Sequence, residues 1–309
     1  MTRVATLDIG TNSVLLLVAE HRDDRGVVSL CDRCTITRLG KGVDKTRALD
    51  PSAVERTLAC LRDYAAIIDE LGVDIRAAVA TSAVRDASGA SAFLDAAQRI
   101  LGVRPRVIDG PTEARMTFSG ALAGLGLDGL VSVFDIGGGS TEIVRGFTGQ
   151  ERSAIEGDAI SLDVGAVRMT ERHVHADPPH ASELDAIRRD VRTALASVAR
   201  PDRSCAWVGI AGTVTTLCAM ELGLAEYDGA RVHGAVLTRE AVDRWVKRLG
   251  SATLAERRRI VGLESARADV IVAGALIVQE LLSWAGASQA TVSDRGVRWG
   301  LALECFGTR

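Results

Sequence analysis

Several features that the sequence has in short supply exclude whole classes of protein. Aromatic residues make up only 4% of the 309 residues, which is too few for the exposed rings on which single-stranded nucleic acids stack. The 37 Lys and Arg residues nearly balance the 40 Asp and Glu residues, and the formal net charge is −3. No overall positive field therefore attracts a nucleic acid or an anionic membrane, and a polyanionic ligand has to be met by a local site.

Long apolar runs are also absent from the sequence. The longest stretch without a charged residue covers residues 204–220, which falls short of the ~20 apolar residues that a membrane-spanning helix needs. Asp8 interrupts the apolar stretch at the N-terminus before a secretory signal of normal length is complete. We therefore expect a cytoplasmic protein that has no membrane partner.

Cysteine is limited to six residues, and their spacing argues against a metal or redox motif. Only Cys31 and Cys34 are close together, and no second pair or histidine cluster accompanies them. Residues 27–37 are predicted to form a strand, in which residues three apart point to opposite faces. A structural role is the better interpretation. The others stand singly in apolar surroundings, where we expect buried thiols: Cys60, Cys205, Cys218 and Cys305.

An internal repeat in the sequence predicts the architecture. Residues 4–13 and 131–141 each form an apolar strand that ends in Asp-Ile-Gly, followed by a tight polar turn and a second strand. The elements predicted after each copy follow the same order, βββαβαβα. We therefore expect two similar α/β lobes with a cleft between them, residues 1–124 and 125–309, with the final helix (297–309) free to pack on the first lobe. The alternative is one large α/β domain in which the tripeptide recurs by chance.

Periodicity and turn residues locate the elements within each lobe. A helix should begin at Asp50 and Pro51 and end at Gly72. Residues 103–108 predict a strand in the first lobe. In the second lobe we predict a strand over roughly residues 155–162, a helical insertion over residues 225–262, and a helix over residues 266–284. The apolar part of that last helix fits either the lobe core or a contact between two subunits.

Glycine turns after the first strand of each lobe predict phosphate binding. A strand–glycine–strand turn exposes backbone N–H groups, and neighbouring hydroxyl groups add donors for phosphate oxygens. A carboxylate at each strand end is suited to a hard divalent cation. A single turn of this kind is more often structural, but its duplication favours a site. The residues are Gly137, Gly138, Gly139, Ser13, Ser140 and Thr141 for phosphate, and Asp8 and Asp135 for the cation.

A third glycine turn, in residues 209–216, follows a predicted strand and opens a helix. Its N–H groups and the positive end of the helix would face an anion, which makes Gly212 and Thr213 candidates for a second phosphate. The alternative is a helix start that Thr213 caps without any ligand.

These motifs resemble the exopolyphosphatase and guanosine pentaphosphate phosphohydrolase family of the actin-like ATPase superfamily, whose duplicated lobes have a ribonuclease-H-like fold. Shorter segments also fall in the family's order, in residues 161–168, 232–234, 267–271 and 292–298, so the resemblance covers nearly the entire chain. The family usually shows Gly-Leu-Arg-Glu-Gly where this chain has Gly296-Val297-Arg298-Trp299-Gly300. The strongest matches are Asp8-Ile9-Gly10-Thr11-Asn12-Ser13, Thr81-Ser82-Ala83-Val84-Arg85-Asp86, Glu113-Ala114-Arg115, Asp135-Ile136-Gly137-Gly138-Gly139-Ser140-Thr141-Glu142 and Ala211-Gly212-Thr213.

The resemblance implies a hydrolase with an active site between the lobes. It assigns Glu113 as the general base that activates water. Without this context, a Glu in the first turn of a helix would more often only interact favourably with the helix dipole. It makes Arg85 a phosphate contact and includes Asn12 in the first phosphate-binding turn. A planar guanidinium grips a phosphate through two hydrogen bonds.

Mg²⁺, with Mn²⁺ as a substitute, is the cofactor that the resemblance implies. Asp135 and Glu142 flank the glycine hairpin, so a folded-back hairpin brings both carboxylates to one cation, and Asp8 is the third candidate ligand. Three further arginines either extend a positive path for a polyanion or form surface charges and ion pairs: Arg168, Arg267 and Arg298.

The substrates that the resemblance implies are inorganic polyphosphate and guanosine pentaphosphate, each losing a terminal phosphate. We favour polyphosphate because aromatic residues that could stack on guanine are few, and short chains because the sequence is similar to the short two-lobe members. The family also implies a homodimer. Two other classes stay open: a kinase of the same superfamily, and a non-catalytic polyphosphate or alarmone sensor, which would not need Glu113.

Overall fold

The computed structural model describes residues 2–22, 26–149, 154–155, 159–200 and 205–307. The chain divides into two compact units, Met1–Gly120 with Val297–Arg309, and Ala121–Gly296. The sequence boundary that we expected after residue 124 falls a few residues later than this division. The final helix belongs to the first unit because Thr6 in the first strand donates a 2.8 Å hydrogen bond from Oγ1 to the Arg298 carbonyl oxygen.

The first half of the chain forms a five-stranded sheet in the order β3-β2-β1-β4-β5. Strands β1 to β3 are antiparallel, whereas β1, β4 and β5 run parallel. The elements are β1 (Arg3–Ile9), β2 (Ser13–Arg22), β3 (Gly26–Ile36), α1 (Val43–Thr46), α2 (Pro51–Glu70), β4 (Ile75–Ala80), α3 (Ser82–Asp86), α4 (Ala90–Leu101), β5 (Arg106–Val107) and α5 (Gly110–Leu122).

The second half forms a sheet in the order β11-β12-β10-β6-β7-β8, with β9 also paired to β7. Strands β6, β7, β10 and β12 occupy the places that β1, β2, β4 and β5 hold in the first sheet, so the predicted duplication is confirmed. The elements are β6 (Gly129–Ile136), β7 (Thr141–Thr148), β8 (Ala154–Ile155), β9 (Ile160–Leu162), α6 (Ala166–His173), α7 (Ala181–Ala196), β10 (Ala206–Ile210), α8 (Ala211–Glu221), α9 (Gly229–Val232), β11 (Val236–Thr238), α10 (Arg239–Ser251), α11 (Leu254–Arg257), α12 (Ile271–Ala285), β12 (Gln289–Val292) and, packed on the first unit, α13 (Val297–Phe306).

Helix α2 shows how the local sequence produces these elements. The Asp50 carboxylate accepts a 2.9 Å hydrogen bond from the Ala53 N–H group, and Pro51 occupies the first helical position. Gly72 follows the helix in the left-handed conformation at φ +61°. Apolar residues on one side of α2, such as Leu61 and Ile68, are fully buried in the core of the first unit.

Four predicted elements differ in extent from those observed. The strand predicted over residues 103–108 shortens to β5, because Pro105 cannot donate to a sheet ladder. The strand predicted over residues 155–162 is seen as β8 and β9, and residues 156–158 lie outside the described residues. The insertion over residues 225–262 is not wholly helical, since β11 adds an antiparallel edge strand to β12. The helix predicted over residues 266–284 starts as a separate 3-10 turn at Ser265–Arg267 before α12.

Helix α12 settles one of the open interpretations. Its apolar residues, among them Leu276 and Leu282, are fully buried within the core of the second unit, so this helix is lobe core. Among the helices of the described residues, none has both the length and the apolar character needed to cross a membrane.

The cysteines largely follow the sequence expectation. Cys31 and Cys34 lie in strand β3 opposite Val18 and Leu15 of β2. Cys305 is only half-buried, in contrast to the expectation, whereas the other three single cysteines are buried.

Candidate active site

The turns after β1 and β6 have the same backbone geometry. In the first, the Gly10 N–H group donates to the Ser13 carbonyl oxygen at 3.0 Å, and in the second, Gly137 donates to Ser140 at 3.0 Å. A Cβ atom on Gly10 would lie 3.1 Å from the Ser13 oxygen. The repeated sequence therefore specifies one tight turn twice.

The carbonyl groups of the first turn are held by the loop that follows β3. The Thr11 oxygen accepts from Gly40 N–H at 2.8 Å, and the Asn12 oxygen accepts from the N–H groups of Thr37 at 3.0 Å and Arg38 at 2.9 Å. In a planar trans peptide, the N–H group points away from the C=O group of the preceding residue. The N–H groups of Asn12 and Ser13 therefore point away from that loop, in the arrangement that binds anions.

The second turn is held in the same way by the start of α6. The Gly137 oxygen accepts from Ala166 N–H at 2.9 Å, and the Gly138 oxygen accepts from the N–H groups of Val167 at 2.9 Å and Arg168 at 3.0 Å. By the same planarity, the N–H groups of Gly138 and Gly139 are directed away from α6. Both turns thus present backbone donors, as the sequence predicts.

Two glycines outside the predicted site make this support possible. A Cβ atom on Gly165 would lie 2.5 Å from the Gly138 oxygen, and one on Gly40 would lie 2.2 Å from the Thr11 Cγ2 atom. No side chain fits at either distance. Sequence reasoning missed both residues as parts of the site, because their role depends on contacts with a distant turn.

Asp135 and Glu142 are brought together by the β6–β7 hairpin. They are directly opposite each other in the antiparallel pairing, so their side chains share one face of the sheet. The Glu142 carboxylate accepts a 3.0 Å hydrogen bond on Oε1 from Ser161 Oγ. Burial raises the pKa of Glu142, whereas hydrogen bonds from Ser140 and Ser161 act in the opposite direction. This hairpin supplies two adjacent oxygen ligands for a hard cation.

Asp8 lies at the end of β1 and is only 8% exposed. Its Oδ1 atom is buried and has no hydrogen-bond partner among the described residues. Burial and the nearby Glu113 raise the pKa of Asp8 to about 7, although the positive charge of Arg298 lowers it. An orphaned carboxylate oxygen of this kind fits a site that a divalent cation would complete.

Glu113 and Arg85 meet in the first unit. Arg85 lies in α3, whose first residue is joined to the first turn by a 2.8 Å hydrogen bond between Ser82 Oγ and Thr11 Oγ1. The Arg85 Nη1 atom donates to Glu113 Oε2 at 3.3 Å and to the Ile108 carbonyl oxygen at 2.8 Å. Each side chain of the pair is about one-third exposed. The predicted base and the predicted phosphate contact are therefore neighbours, and both remain accessible.

The third turn leads directly into α8. No side chain caps this helix, so the alternative in which Thr213 is a cap is wrong. The Thr213 hydroxyl group instead donates to the Ile136 carbonyl oxygen at 3.2 Å. Ala211 has φ +64°, an uncommon backbone conformation for a residue with a side chain and one that occurs at functional sites.

Thr141 serves the fold in a similar way. Its side chain is almost fully buried, and its hydroxyl group donates to the Val164 carbonyl oxygen at 2.6 Å. In this structure the hydroxyl groups of Thr141 and Thr213 both donate to backbone carbonyl oxygens. Asn12 and Ser13 remain half-buried in the first turn.

The three further arginines have different surroundings. Arg168 donates from Nε to the Gly139 oxygen at 2.6 Å. Arg267 pairs with Glu264 at 3.0 Å and lies so close to the third turn that a Cβ atom on Gly212 would be 1.9 Å from its Nη1 atom. Both are therefore beside the predicted phosphate turns.

Arg298 forms a buried ion pair. It donates from Nε and Nη2 to the two carboxylate oxygens of Asp32 at 2.9 and 3.0 Å, and Trp299 also donates to Asp32. This arrangement supports the ion-pair interpretation of Arg298 over the polyanion path. Asp32 carries no motif, and sequence reasoning did not identify it.

The carboxylates of the site are typical of a magnesium ion that protein, water and substrate bind together, and not of a metal that protein side chains bind alone. In the parts of the chain that the structure describes, no group of three or more His, Cys, Asp or Glu side chains is arranged to hold a metal. Mg²⁺ is usually bound by one or two carboxylates together with water and substrate phosphates. The paired carboxylates of Asp135 and Glu142 have the required chemistry.

Comparison with known proteins identifies the family. The model of the Ppx/GppA phosphatase family matches residues 17–308. The chain belongs to this family. Exopolyphosphatase 2 of Mycobacterium tuberculosis is 38% identical, and the match covers 99% of each chain. As a Ppx/GppA member, the protein is an enzyme that hydrolyses phosphoric anhydrides.

Solved structures confirm the predicted fold. The crystal structure of the Ppx/GppA family member from Aquifex aeolicus is 35% identical, with a TM-score of 0.83, and covers 99% of this chain and 97% of its own. A nucleoside triphosphate hydrolase structure from Neospora caninum is 13% identical with a TM-score of 0.51, covering 98% of this chain and 92% of its own, and shows likeness of fold alone. The chain therefore has the α/β fold of the Ppx/GppA family.

Proposed function

We propose that the protein is a Mg²⁺-dependent exopolyphosphatase that releases terminal orthophosphate from short chains of inorganic polyphosphate. The observation that carries the proposal is the pair of matching turns, in which backbone carbonyl groups are bound by a neighbouring segment and the N–H groups that follow them are directed away from that segment. The full-length similarity to Exopolyphosphatase 2 of Mycobacterium tuberculosis supports this substrate.

Substrate binding would use donors that carry no negative charge. Backbone N–H groups of the two turns would donate to oxygens of the terminal phosphates, together with the hydroxyl group of Ser13. Arg85 would add a guanidinium group that matches the geometry of phosphate oxygens. These groups recognise phosphate and no other part of a substrate, which is suited to a polymer of identical units.

Glu113 would act as the general base. Its carboxylate would accept a proton from a water molecule as the water oxygen attacks the terminal phosphorus atom. The bond between that phosphorus and the bridging oxygen breaks, and the shortened polyphosphate leaves with the bridging oxygen. The hydrogen bond from Arg85 holds the Glu113 side chain in place, and the Arg85 side chain, which is about one-third exposed, would also bind the substrate.

Asp135 and Glu142 would hold Mg²⁺ or Mn²⁺, with water and substrate oxygens as the remaining ligands. A bound divalent cation neutralises charge that builds up on phosphate oxygens. Without a cation, two adjacent carboxylates would repel a polyanion, so the hairpin alone disfavours substrate binding. We also propose a homodimer, as the family resemblance implies, and a cytoplasmic location, as the sequence leads us to expect.

Guanosine pentaphosphate is the alternative substrate, because the family name covers both activities. Phosphate release should be measured with Mg²⁺, with Mn²⁺ and with EDTA, on short polyphosphate, long polyphosphate, guanosine pentaphosphate and ATP. Preferential, EDTA-sensitive release from short polyphosphate is the expected result. Release chiefly from guanosine pentaphosphate would replace the proposed substrate. Binding of polyphosphate without any release would favour a sensor, and transfer from ATP to an acceptor would favour a kinase.

A further inference from the structure

Strand β9 adds one polar side chain to the row of residues that contains Asp135 and Glu142. Glu142 lies opposite Asp135 on one side and opposite Ser161 on the other. Side chains that are directly opposite in neighbouring antiparallel strands point to the same face. Ser161 Oγ donates to Glu142 Oε1 at 3.0 Å. The hydroxyl group thus contacts one specific oxygen of the predicted ligand.

The first unit shows that the fold does not require this polar row. At the matching positions its sheet has Asp8, Leu15 and Cys34, in the same antiparallel pairing. A leucine therefore replaces Glu142, and a cysteine replaces Ser161, without loss of the strand order. Only the second unit combines two carboxylates with a hydroxyl donor, which points to a role beyond folding.

The hydrogen bond restricts a side chain that otherwise has several rotamers. Glu142 accepts side-chain hydrogen bonds from Ser140 and Ser161, and the bond from Ser161 fixes the position of Oε1. Metal-binding carboxylates are commonly held in this way, and loss of such a partner typically weakens metal binding ~10–100-fold.

We propose that Ser161 is a positioning residue, whose hydroxyl group orients the Glu142 carboxylate for the divalent cation. The proposal rests on the part of the proposed function that assigns a cation to Asp135 and Glu142. It adds a residue that does not itself touch the substrate or the cation. The donor is exposed, so its substitution should leave the packing of the second unit unchanged.

The test is the binding of Mn²⁺ to the full-length protein in the presence of inorganic phosphate, measured by electron paramagnetic resonance of the free ion. Ser161→Ala should raise the Mn²⁺ dissociation constant ~10–100-fold relative to the wild type. Ser161→Thr retains a hydroxyl group and should restore most of the affinity. Ser197→Ala is the matched control, because Ser197 is also exposed in the second unit and its hydroxyl group donates only to a backbone carbonyl oxygen, that of Ala194.

Equal Mn²⁺ affinity in Ser161→Ala and the wild type would overturn the proposal, as would an equal loss in Ser161→Ala and Ser161→Thr. If Ser161→Ala unfolds, comparison of Ser161→Thr with Ser161→Val decides, since the two side chains have similar shapes and only threonine can donate. A wild type that binds no Mn²⁺ in the presence of inorganic phosphate would overturn both the cation site and the role of Ser161. If Mn²⁺ binding depends on Ser161 but polyphosphate is not hydrolysed, only the proposed substrate fails.

Discussion

The replacement Asp8→Asn should stabilise the cation-free protein, and the effect should grow with pH. The pKa of Asp8 is raised in the folded protein, chiefly by burial. At pH values below the ordinary pKa, the carboxyl group is protonated in both the folded and the unfolded chain, so it causes no pH dependence. Between that pKa and the folded value, the unfolded chain has lost the proton but the folded chain retains it, and stability therefore decreases as pH rises. Asparagine is neutral throughout.

The size of the effect follows from the change in pKa. Raising the pKa of Asp8 from 3.8 to about 7 corresponds to about 4 kcal/mol, since each pKa unit is equivalent to ~1.4 kcal/mol. The side chain is only 8% exposed, so water screens little of this cost. The difference between Asp8→Asn and wild type should therefore be small near pH 4 and approach this value above pH 7.

Urea unfolding in EDTA, at pH values from 4 to 8, measures the difference between the two proteins. Asp50→Asn is the control with the opposite sign. Hydrogen bonds from Ser52 and Ala53 lower the pKa of Asp50, so its contribution is present at neutral pH and is lost as the pH falls. A stability difference between Asp8→Asn and wild type that does not change with pH would refute the reasoning.

Three other predictions follow from single contacts. Glu113→Gln should lower kcat for phosphate release ~100- to 10,000-fold with little change in KM, and a wild-type kcat in steady-state assays would remove Glu113 from the mechanism. Gly165→Ala places a Cβ atom 2.5 Å from the Gly138 oxygen. It should lower the free energy of unfolding in urea by ~1–3 kcal/mol and weaken phosphate binding. Unchanged phosphate binding would show that this contact does not support the site. Asp32→Ala removes the two hydrogen bonds that the buried Arg298 donates to Asp32 and should lower the free energy of unfolding by ~1–3 kcal/mol, and an unchanged midpoint of thermal unfolding would contradict this prediction.

The sequence alone determined the duplication and the chemistry of the turns. Strand periodicity, the Asp-Ile-Gly repeat and the glycines are local features, and local backbone preferences act within a few residues. For the same reason, the pairing of Asp135 with Glu142 was predictable, since a short hairpin leaves few registers. The cap at Asp50 and the start of α2 were predicted equally well.

Only the tertiary structure decided which partners the site residues have. Arg85 meets Glu113 across 28 positions of sequence, and Arg298 meets Asp32 across 266. The uses of the Thr141 and Thr213 hydroxyl groups were likewise decided by distant carbonyl oxygens. No local pattern encodes such contacts, because they arise when separate strands and helices pack together and buried polar groups must find partners.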